Sequence, residues 1–330
     1  NGDTIKTIRN EYEMNHIKNS LSDYNSNSIT KIGFAVDMEI VPSKIQLVNI
    51  SGNTLEGDIF YVKNKINYIE SAKIENTSTT IKDFFQNNSV ETKVMNSYYG
   101  SDVNTPINLK NEKTIFSDES TIETAYQYAY EKGNQKLIDA NMVGIPLDTE
   151  VKKDGKTISK AETKYDNPVN LLPSSVLSYN MQSNTPSTEV TYDIYDGKRN
   201  LIQYTTKAGV STSIIWGYNQ TQPIAKIEGA KLSDITQTLI NSIVNASDDT
   251  NANYSESTLL NQLDAFRIAL PNFQISTYTY KPLIGVTTIT PPSGIREYYF
   301  YDTANRLESV KTNENGVLTT LKEYQYHYKP

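Results

Sequence analysis

The chain has 330 residues, a formal net charge of −7 and no cysteine. Its acidic and basic residues are interspersed, which excludes the clustered basic face of a nucleic-acid-binding protein, so we expect no nucleic acid among its partners. The lack of cysteine excludes disulfides, thiolate catalysis and cysteine-ligated metals. No apolar run reaches the roughly 18 residues of a membrane-spanning helix.

The composition predicts ordered β structure with wide polar faces. The hydrophobic share of 37% is low, but disordered chains also lack aromatic and β-branched residues. This chain has 24 tyrosines and is rich in isoleucine, valine and threonine, which suit a pleated, half-buried surface. It begins at Asn1 without a signal region, and we expect it to be a mature or excised piece of a longer precursor.

The N-terminal part is predicted to consist mostly of strands. Residues 1–28 are ambiguous between a helical face and a strand. Apolar residues alternate from Lys31 to Pro42, which predicts a half-buried strand. Further strands are predicted at residues 45–50, 55–62, 68–74, 81–94 and 109–116. We treat residues 1–118 as a β-rich part without a family signal.

The middle of the chain continues with short elements. Residues 125–130 alternate and predict a strand with its three tyrosines on one face. Residues 135–141 predict a short helix. Asp154-Gly155 lies between two short segments, residues 150–153 and 156–158. It predicts a type I′ hairpin turn, because both residue types tolerate the positive φ that this turn needs.

Residues 231–271 differ from their surroundings. Apolar residues recur at helical spacing on both sides of the polar run 247–253, and Pro271 ends the second run. The segment predicts a helical hairpin, near residues 233–270, inserted between β segments.

Two segments share a motif in which Tyr-Asp is followed by a turn and a leucine. The first begins at Tyr195 with Gly209 downstream, and the second begins at Tyr301 with Gly316 downstream, at intervals of 14 and 15 residues that fit a hairpin. The candidate repeat-motif residues are Tyr195, Asp196, Gly197, Leu201, Tyr301, Asp302, Arg306, Leu307, Gly316, Tyr324 and Tyr326.

Each motif position has a predicted physical role. The tyrosine ends a strand with its ring on the sheet face, and the aspartate accepts backbone N–H groups in the turn that follows. Asp193 and Asp196 are interpreted in this way as turn caps. Small or glycine-like residues permit the bend, the leucine begins the next strand, and the downstream glycine supplies positive φ at the hairpin reversal.

These motifs resemble those of the YD-repeat family, also called RHS-repeat proteins. The resemblance covers roughly the C-terminal 200 residues, and we assign residues 119–330 to a YD-repeat-like β region with the helical insertion 231–271. The resemblance implies repeats that form a curling β-sheet, sometimes a closed shell. The chain departs from the toxin-bearing shells, since it has few clear repeats and lacks their autoproteolytic Asp-Pro motif.

The expected fold class is therefore mainly β, an antiparallel meander of stacked hairpins, similar to the YD-repeat shells, with the inserted helical hairpin. Some family members use type IX secretion, which implies a secreted or cell-surface location outside the outer membrane. The implied partners are the remainder of a larger parent protein and an outer-membrane secretion translocon.

The expected function is non-catalytic and structural: a section of a YD-repeat protein that encloses, displays or adheres. The alternative is a carbohydrate-binding adhesin that holds surface glycans with exposed tyrosines. A less favoured alternative is a glycoside-active enzyme using Asp37 and Glu39, which share a strand face about 7 Å apart.

Candidate chemical groups favour ordinary roles. His16 and His327 are interpreted as polar surface residues, and Asp248-Asp249 lacks the glycine and the further ligands of a calcium loop. We expect no catalytic residue, no metal and no cofactor.

Overall fold

The computed structural model describes residues 6–16, 31–48, 54–70, 72–85, 88–100, 107–249, 255–314 and 316–326. In these ranges the chain is mainly β, with 17 strands in antiparallel meander order and a separate strand pair. A helical hairpin lies between two of the strands. The predicted fold class is confirmed. The chain divides into two compact units, Asn1–Lys160 and Ala161–Pro330, and the predicted division at residue 118 stays a prediction.

Unit 1 contains the ambiguous N-terminal segment, of which the described residues, Lys6–His16, form a strand. Its elements are β1 (Lys6–His16), β2 (Lys31–Val48), β3 (Thr54–Glu70), β4 (Ala72–Phe85), β5 (Asn88–Tyr98), β6 (Leu109–Ile115), β7 (Thr121–Gln127), α1 (Gln135–Asp139) and β8 (Asp148–Lys153). β2 and β3 form the separate antiparallel pair. β1 pairs with β4, and β4 to β8 then pair in chain order.

The predicted strand at 125–130 is wrong in its second half. β7 ends at Gln127, and the chain turns where the backbone N–H of Lys132 donates to the carbonyl of Tyr128 at 3.0 Å. Glu131 accepts the backbone N–H of Tyr128, also at 3.0 Å. The three tyrosines therefore do not share a strand face: Tyr128 is 5% exposed and Tyr130 is 39% exposed. Side-chain capping of the turn overrides the alternating pattern.

β9 (Lys156–Lys164) follows a tight turn in which Asp154 and Gly155 have φ of +50° and +78°. Positive φ at both central residues is the requirement of the predicted type I′ turn. The last residues of β9, from Ala161 to Lys164, pair with β10 in unit 2.

Unit 2 is a meander interrupted by two helices. Its further elements are β10 (Ser175–Tyr179), β11 (Pro186–Tyr195), β12 (Leu201–Thr206), β13 (Ser211–Gly217), β14 (Gln222–Glu228), α2 (Gln237–Asp248), α3 (Glu256–Ala269), β15 (Gln274–Lys281), β16 (Gly285–Thr290), β17 (Glu297–Tyr301), β18 (Leu307–Glu314) and β19 (Val317–Glu323). Each strand pairs with the next, and β14 pairs with β15 across the inserted helices.

The apolar core of unit 2 lies where α2 and α3 pack on β13, β14 and β15. The helices bury most of the apolar stripes that the sequence predicts, but Ile268, which the spacing assigns to the second stripe, is 79% exposed. Burying such a stripe is the main source of helix stability in a protein. The largest fully buried apolar side chains in this core are Ile224, Ile227, Ile243, Leu259, Leu263 and Phe266.

Capping and a following proline set the ends of α3, and Arg267 links the helix to the sheet by hydrogen bonds. The Ser255 hydroxyl caps the first turn by accepting the backbone N–H of Ser257 at 3.3 Å, and the helix ends at Ala269, two residues before Pro271. The guanidinium of Arg267 donates to the carbonyls of Ile275, Thr290, Pro291 and Pro292. One side chain thereby satisfies main-chain acceptors at the strand ends under the helix.

Candidate functional site

The first Tyr-Asp turn joins β11 to β12. Tyr195 is the last residue of β11 and Leu201 is the first of β12. Between them, Oδ1 of Asp196 accepts the backbone N–H groups of Lys198 and Asn200, each at 2.8 Å. Its Oδ2 accepts the side-chain amide of Asn200 at 3.0 Å. The carboxylate thus satisfies the polar groups that the reversal leaves without ladder partners.

The second Tyr-Asp turn repeats this geometry between Tyr301 and Leu307. Oδ1 of Asp302 accepts the backbone N–H groups of Ala304 at 2.8 Å and Arg306 at 2.9 Å. Its Oδ2 accepts from the guanidinium of Arg306 at 2.7 Å. This hydrogen bond is the main cause of the lowered pKa of Asp302.

The residue that adopts the left-handed conformation in each turn is not a glycine. Arg199 has φ of +70° and Asn305 has φ of +59°, whereas Gly197 is not among the residues with positive φ. The downstream reversals do use glycine, with φ of +77° at Gly209 and +87° at Gly316. At Gly209 and Gly316 a Cβ would meet no atom within 4 Å, so backbone conformation and not space favours glycine there.

Asp193 has a different role from the predicted turn cap. It lies within β11, and its Oδ2 accepts from Gln203 Nε2 at 3.0 Å and from Thr205 Oγ1 at 2.6 Å. Both donors are on β12, so Asp193 links side chains across two strands.

A shared contact closes the open end of five strand pairs in unit 2, namely β10–β11, β12–β13, β14–β15, β16–β17 and β18–β19. An aromatic residue near or just beyond the end of the second strand donates its side-chain O–H or N–H to a carbonyl near or just before the start of the first strand. We call these contacts hairpin closures. They join Tyr195 to Pro173 at 2.8 Å, Trp216 to Leu201 at 2.9 Å, Tyr280 to Pro223 at 3.0 Å, Tyr301 to Val286 at 2.9 Å and Tyr326 to Leu307 at 2.8 Å.

The same device occurs in unit 1. Tyr98, at the end of β5, donates to the carbonyl of Asn76 on β4 at 2.9 Å. Tyr128, just after β7, donates to the carbonyl of Leu109 at the start of β6 at 2.8 Å. A closure therefore belongs to hairpins with and without the Tyr-Asp motif.

Burial favours the protonated form of three closing hydroxyls. It raises the pKa of Tyr195 and of Tyr280 to about 12 and also raises the pKa of Tyr301. Each of these hydroxyls remains a hydrogen-bond donor at neutral pH.

The C-terminal motif residues are more exposed. Tyr326 makes its closure with its side chain 45% exposed, and the Arg306 guanidinium lies 4.5 Å from its ring centroid. Tyr324 is 40% exposed, and its backbone N–H donates to the carbonyl of Glu308 at 2.9 Å. Arg306 thereby connects the Asp302 turn to the closure made by Tyr326.

The sequence predicts Tyr195, Tyr301 and Tyr326 as motif members, but it predicts a closure for none of them, nor for Trp216 or Tyr280. For Trp216 a signal was present, since it lies 15 residues after Leu201, close to the motif interval, whereas the helical insertion separates Tyr280 from Pro223 by 57 residues. Sequence alone did not reveal the carbonyl partners, because these depend on strand register.

The loop between β13 and β14 has a left-handed backbone and contacts the end of α2. Tyr218, Asn219 and Gln220 have φ of +51°, +56° and +61°. The Ser247 hydroxyl accepts the N–H of Tyr218 at 3.2 Å, and Asp248 Oδ1 accepts the N–H of Asn219 at 2.7 Å. The end of α2 therefore holds a loop conformation that side chains normally disfavour. This is the observed role of Asp248.

The side chains of His16, Asp37 and Glu39 lie outside the described residues, as does His327. Among the described residues, no group of three or more His, Asp or Glu side chains is placed to hold a metal ion. None of the helices in the described ranges combines the length and apolar character needed to cross a bilayer.

No family model matches the chain, and no curated protein matches it significantly. Solved structures with some similarity include a complex titled TcdB2-TccC3-Cdc42, with 11% identity over 76% of this chain and a TM-score of 0.36. A Photorhabdus luminescens Tc holotoxin pore has 11% identity over 78% of this chain and a TM-score of 0.33. The match spans 12% of each of these two chains.

A porin-like protein from Bacteroides uniformis has 12% identity over 96% of this chain and 93% of its own, with a TM-score of 0.19. Identities and TM-scores this low carry no inference about the function of the present chain.

Proposed function

We propose that the chain is a non-catalytic structural section of a secreted or surface-displayed YD-repeat protein, where it encloses, displays or adheres. The observation that carries the proposal is the series of five hairpin closures in unit 2. Each closure makes a hairpin a self-contained module, and modules that contact mainly their neighbours are suited to building an extended sheet.

The hairpin closures also help to decide between a structural role and a glycan-binding role for the tyrosines. A glycan platform of the expected kind requires several rings exposed together. The described closing tyrosines instead commit their hydroxyls to main-chain carbonyls, and burial raises the pKa of several of them. These contacts favour a structural role for the rings over a role as a sugar-stacking surface.

We further propose that the partners are the remainder of the chain's own larger protein and an outer-membrane secretion translocon. The location would be the exterior of the outer membrane. This part rests on the resemblance of the motifs at Tyr195 and Tyr301 to those of the YD-repeat family.

The location can be tested in the organism that encodes the chain by tagging the gene within an exposed loop, for example between Asn167 and Asn170, where Val169 is 86% exposed. Protease added to intact cells should degrade the tag, or the tag should accumulate in the medium. Mild-detergent purification from the envelope should recover translocon components. A tag that is protected until the cells are lysed would overturn the proposal.

The structural role has its own test. Replacing three closing tyrosines together, Tyr195, Tyr280 and Tyr301, with phenylalanine should make the displayed parent protein sensitive to protease. A matched control replaces Tyr204, Tyr278 and Tyr298, whose hydroxyls have no described hydrogen bond. Equal protease resistance of the two triple variants would count against a structural role for the closures.

A further inference from the structure

A cavity of about 250 Å³ lies on the polar sheet face of unit 1. Its centre is Ala125 on β7, which stands opposite Asn111 on β6 and Glu150 on β8 in the strand register. The neighbouring side chains on this face are long, and the alanine methyl group is short. The difference in length creates the depression.

The sheet face around Ala125 is polar. Glu123 and Gln127 lie two residues away on β7, so their side chains share the face of Ala125. Asp148 on β8 is opposite Gln127. All three polar residues line the cavity.

An aromatic ring forms part of the wall. The Tyr99 hydroxyl donates to the carbonyl of Tyr126 at 3.1 Å, and its ring packs edge-to-face on Tyr128 with centroids 6.2 Å apart. Lys110 Nζ lies 5.6 Å from the Tyr99 ring centroid. The ring is therefore held in place before any ligand arrives.

The acidic groups of the cavity are also held in place. Glu123 accepts from Asn111 Nδ2 at 2.9 Å, and Glu150 accepts from Thr157 Oγ1 at 2.6 Å. The hydrogen bond from Thr157 is the main cause of the lowered pKa of Glu150. Glu150 Oε2 also lies 3.4 Å from Lys152 Nζ. A carboxylate has about four lone-pair sites, so these contacts orient each group and leave capacity for a ligand.

The deepest acidic group is Asp148. Its side chain is 5% exposed, and Oδ2 lies 3.5 Å from the ammonium groups of Lys132 and Lys160. These two ion pairs hold the buried carboxylate in position. It can accept a hydroxyl hydrogen from a ligand in the cavity.

The mixture of these groups defines the ligand chemistry. The lining contains three carboxylates and two lysines together with side-chain amides, so no single charge is strongly favoured. Hydroxyl groups both donate and accept hydrogen bonds and match such a lining, and the C–H face of a sugar ring can pack on an aromatic side chain. The volume is just below the range of about 300–1,000 Å³ for pockets of drug-sized ligands. We propose that this cavity binds a single neutral sugar residue.

The inference does not depend on the proposed structural function. It also differs from a platform of exposed tyrosines, since a polar cavity with one ring wall would hold the sugar. Failure of sugar binding would leave the secretion and protease experiments unaffected.

The test is saturation-transfer NMR on the whole 330-residue chain with the methyl pyranosides of glucose, galactose, mannose and N-acetylglucosamine. At least one neutral sugar should receive saturation. Ala125→Leu should abolish the transfer, because the leucine side chain occupies the depression. Glu123→Gln should weaken binding about tenfold, which corresponds to about 1.4 kcal/mol.

Matched controls are Ala304→Leu and Glu119→Gln, two exposed sites outside the cavity, and both should bind like the unmodified chain. Thermal unfolding of each variant checks folding, and Glu123→Gln keeps the test informative if Ala125→Leu does not fold. Charged glucosamine and galacturonate are tested beside the neutral sugars. The proposal is overturned if no neutral sugar binds, or if only these two charged sugars bind. Equal binding by the cavity variants and their controls would also overturn it.

Discussion

The indole N–H of Trp216 donates to the carbonyl of Leu201 at 2.9 Å, in the position where the neighbouring hairpins place a tyrosine hydroxyl. The single tryptophan of the chain therefore replaces tyrosine in a repeated closure. It also lies in unit 2, so its fluorescence reports the unfolding of that unit.

Removing a closing hydroxyl should weaken unit 2. Tyr301→Phe removes the donor to the carbonyl of Val286 and should lower the free energy of unfolding by about 1 kcal/mol, the usual net value of one hydrogen bond. Urea unfolding followed by Trp216 fluorescence measures the change. Tyr298→Phe on the same strand, whose hydroxyl has no described hydrogen bond, should change the value by less. Equal losses of unfolding free energy in the two variants would contradict the assignment of the loss to the closure made by Tyr301.

Substitutions of Asp196 in the first Tyr-Asp turn should destabilise unit 2 according to how many of its hydrogen bonds they remove. Asp196→Ala removes the acceptor for the N–H groups of Lys198 and Asn200 and should cost about 1 kcal/mol, the scale of losing a capping side chain. Asp196→Asn retains Oδ1 but loses the acceptor for the Asn200 amide, so its loss should be intermediate. The same urea titration measures both variants, and an asparagine as damaging as alanine would contradict this account.

Close packing of α2 on β13 should make Gly217 intolerant of a side chain. A Cβ there would overlap the Ser247 hydroxyl and would lie 2.9 Å from side-chain atoms of Ile224. Gly217→Ala should therefore destabilise unit 2 by about 1–3 kcal/mol, as overpacking does. Gly197→Ala is the matched control, because a Cβ at Gly197 meets nothing within 4 Å. Differential scanning calorimetry should show a lower melting temperature for Gly217→Ala alone.

High pH should weaken the fold through the buried tyrosines. Burial raises the pKa of Tyr195 and Tyr280 from 10.0 to about 12. Because the folded pKa lies above the unfolded one, the stabilisation is complete below pH 10 and is lost as pH rises towards 12. Urea midpoints measured across this window should fall. The double variant Tyr195→Phe, Tyr280→Phe should show a shallower fall, and an unchanged slope would contradict the assignment to these hydroxyls.

Several features of this protein follow from the sequence because their contacts are local. The carboxylate of Asp196 binds N–H groups two and four residues ahead, and Asp154-Gly155 adopts the positive φ of its turn. The apolar spacing on either side of residues 247–253 produces α2 and α3, and Pro271 follows the end of the second helix. Short-range hydrogen bonds and backbone sterics decide these elements, so the residues themselves predict them.

Other features were decided only by the tertiary structure. Tyr280 reaches the carbonyl of Pro223 across a separation of 57 residues, and Asp193 binds β12 although its sequence position suggests a turn cap. Ala125 becomes the floor of a cavity because Asn111 and Glu150 are its register partners. Strand register and helix packing bring together residues distant in sequence, and no local pattern encodes which of the many alternative pairings has the lowest free energy.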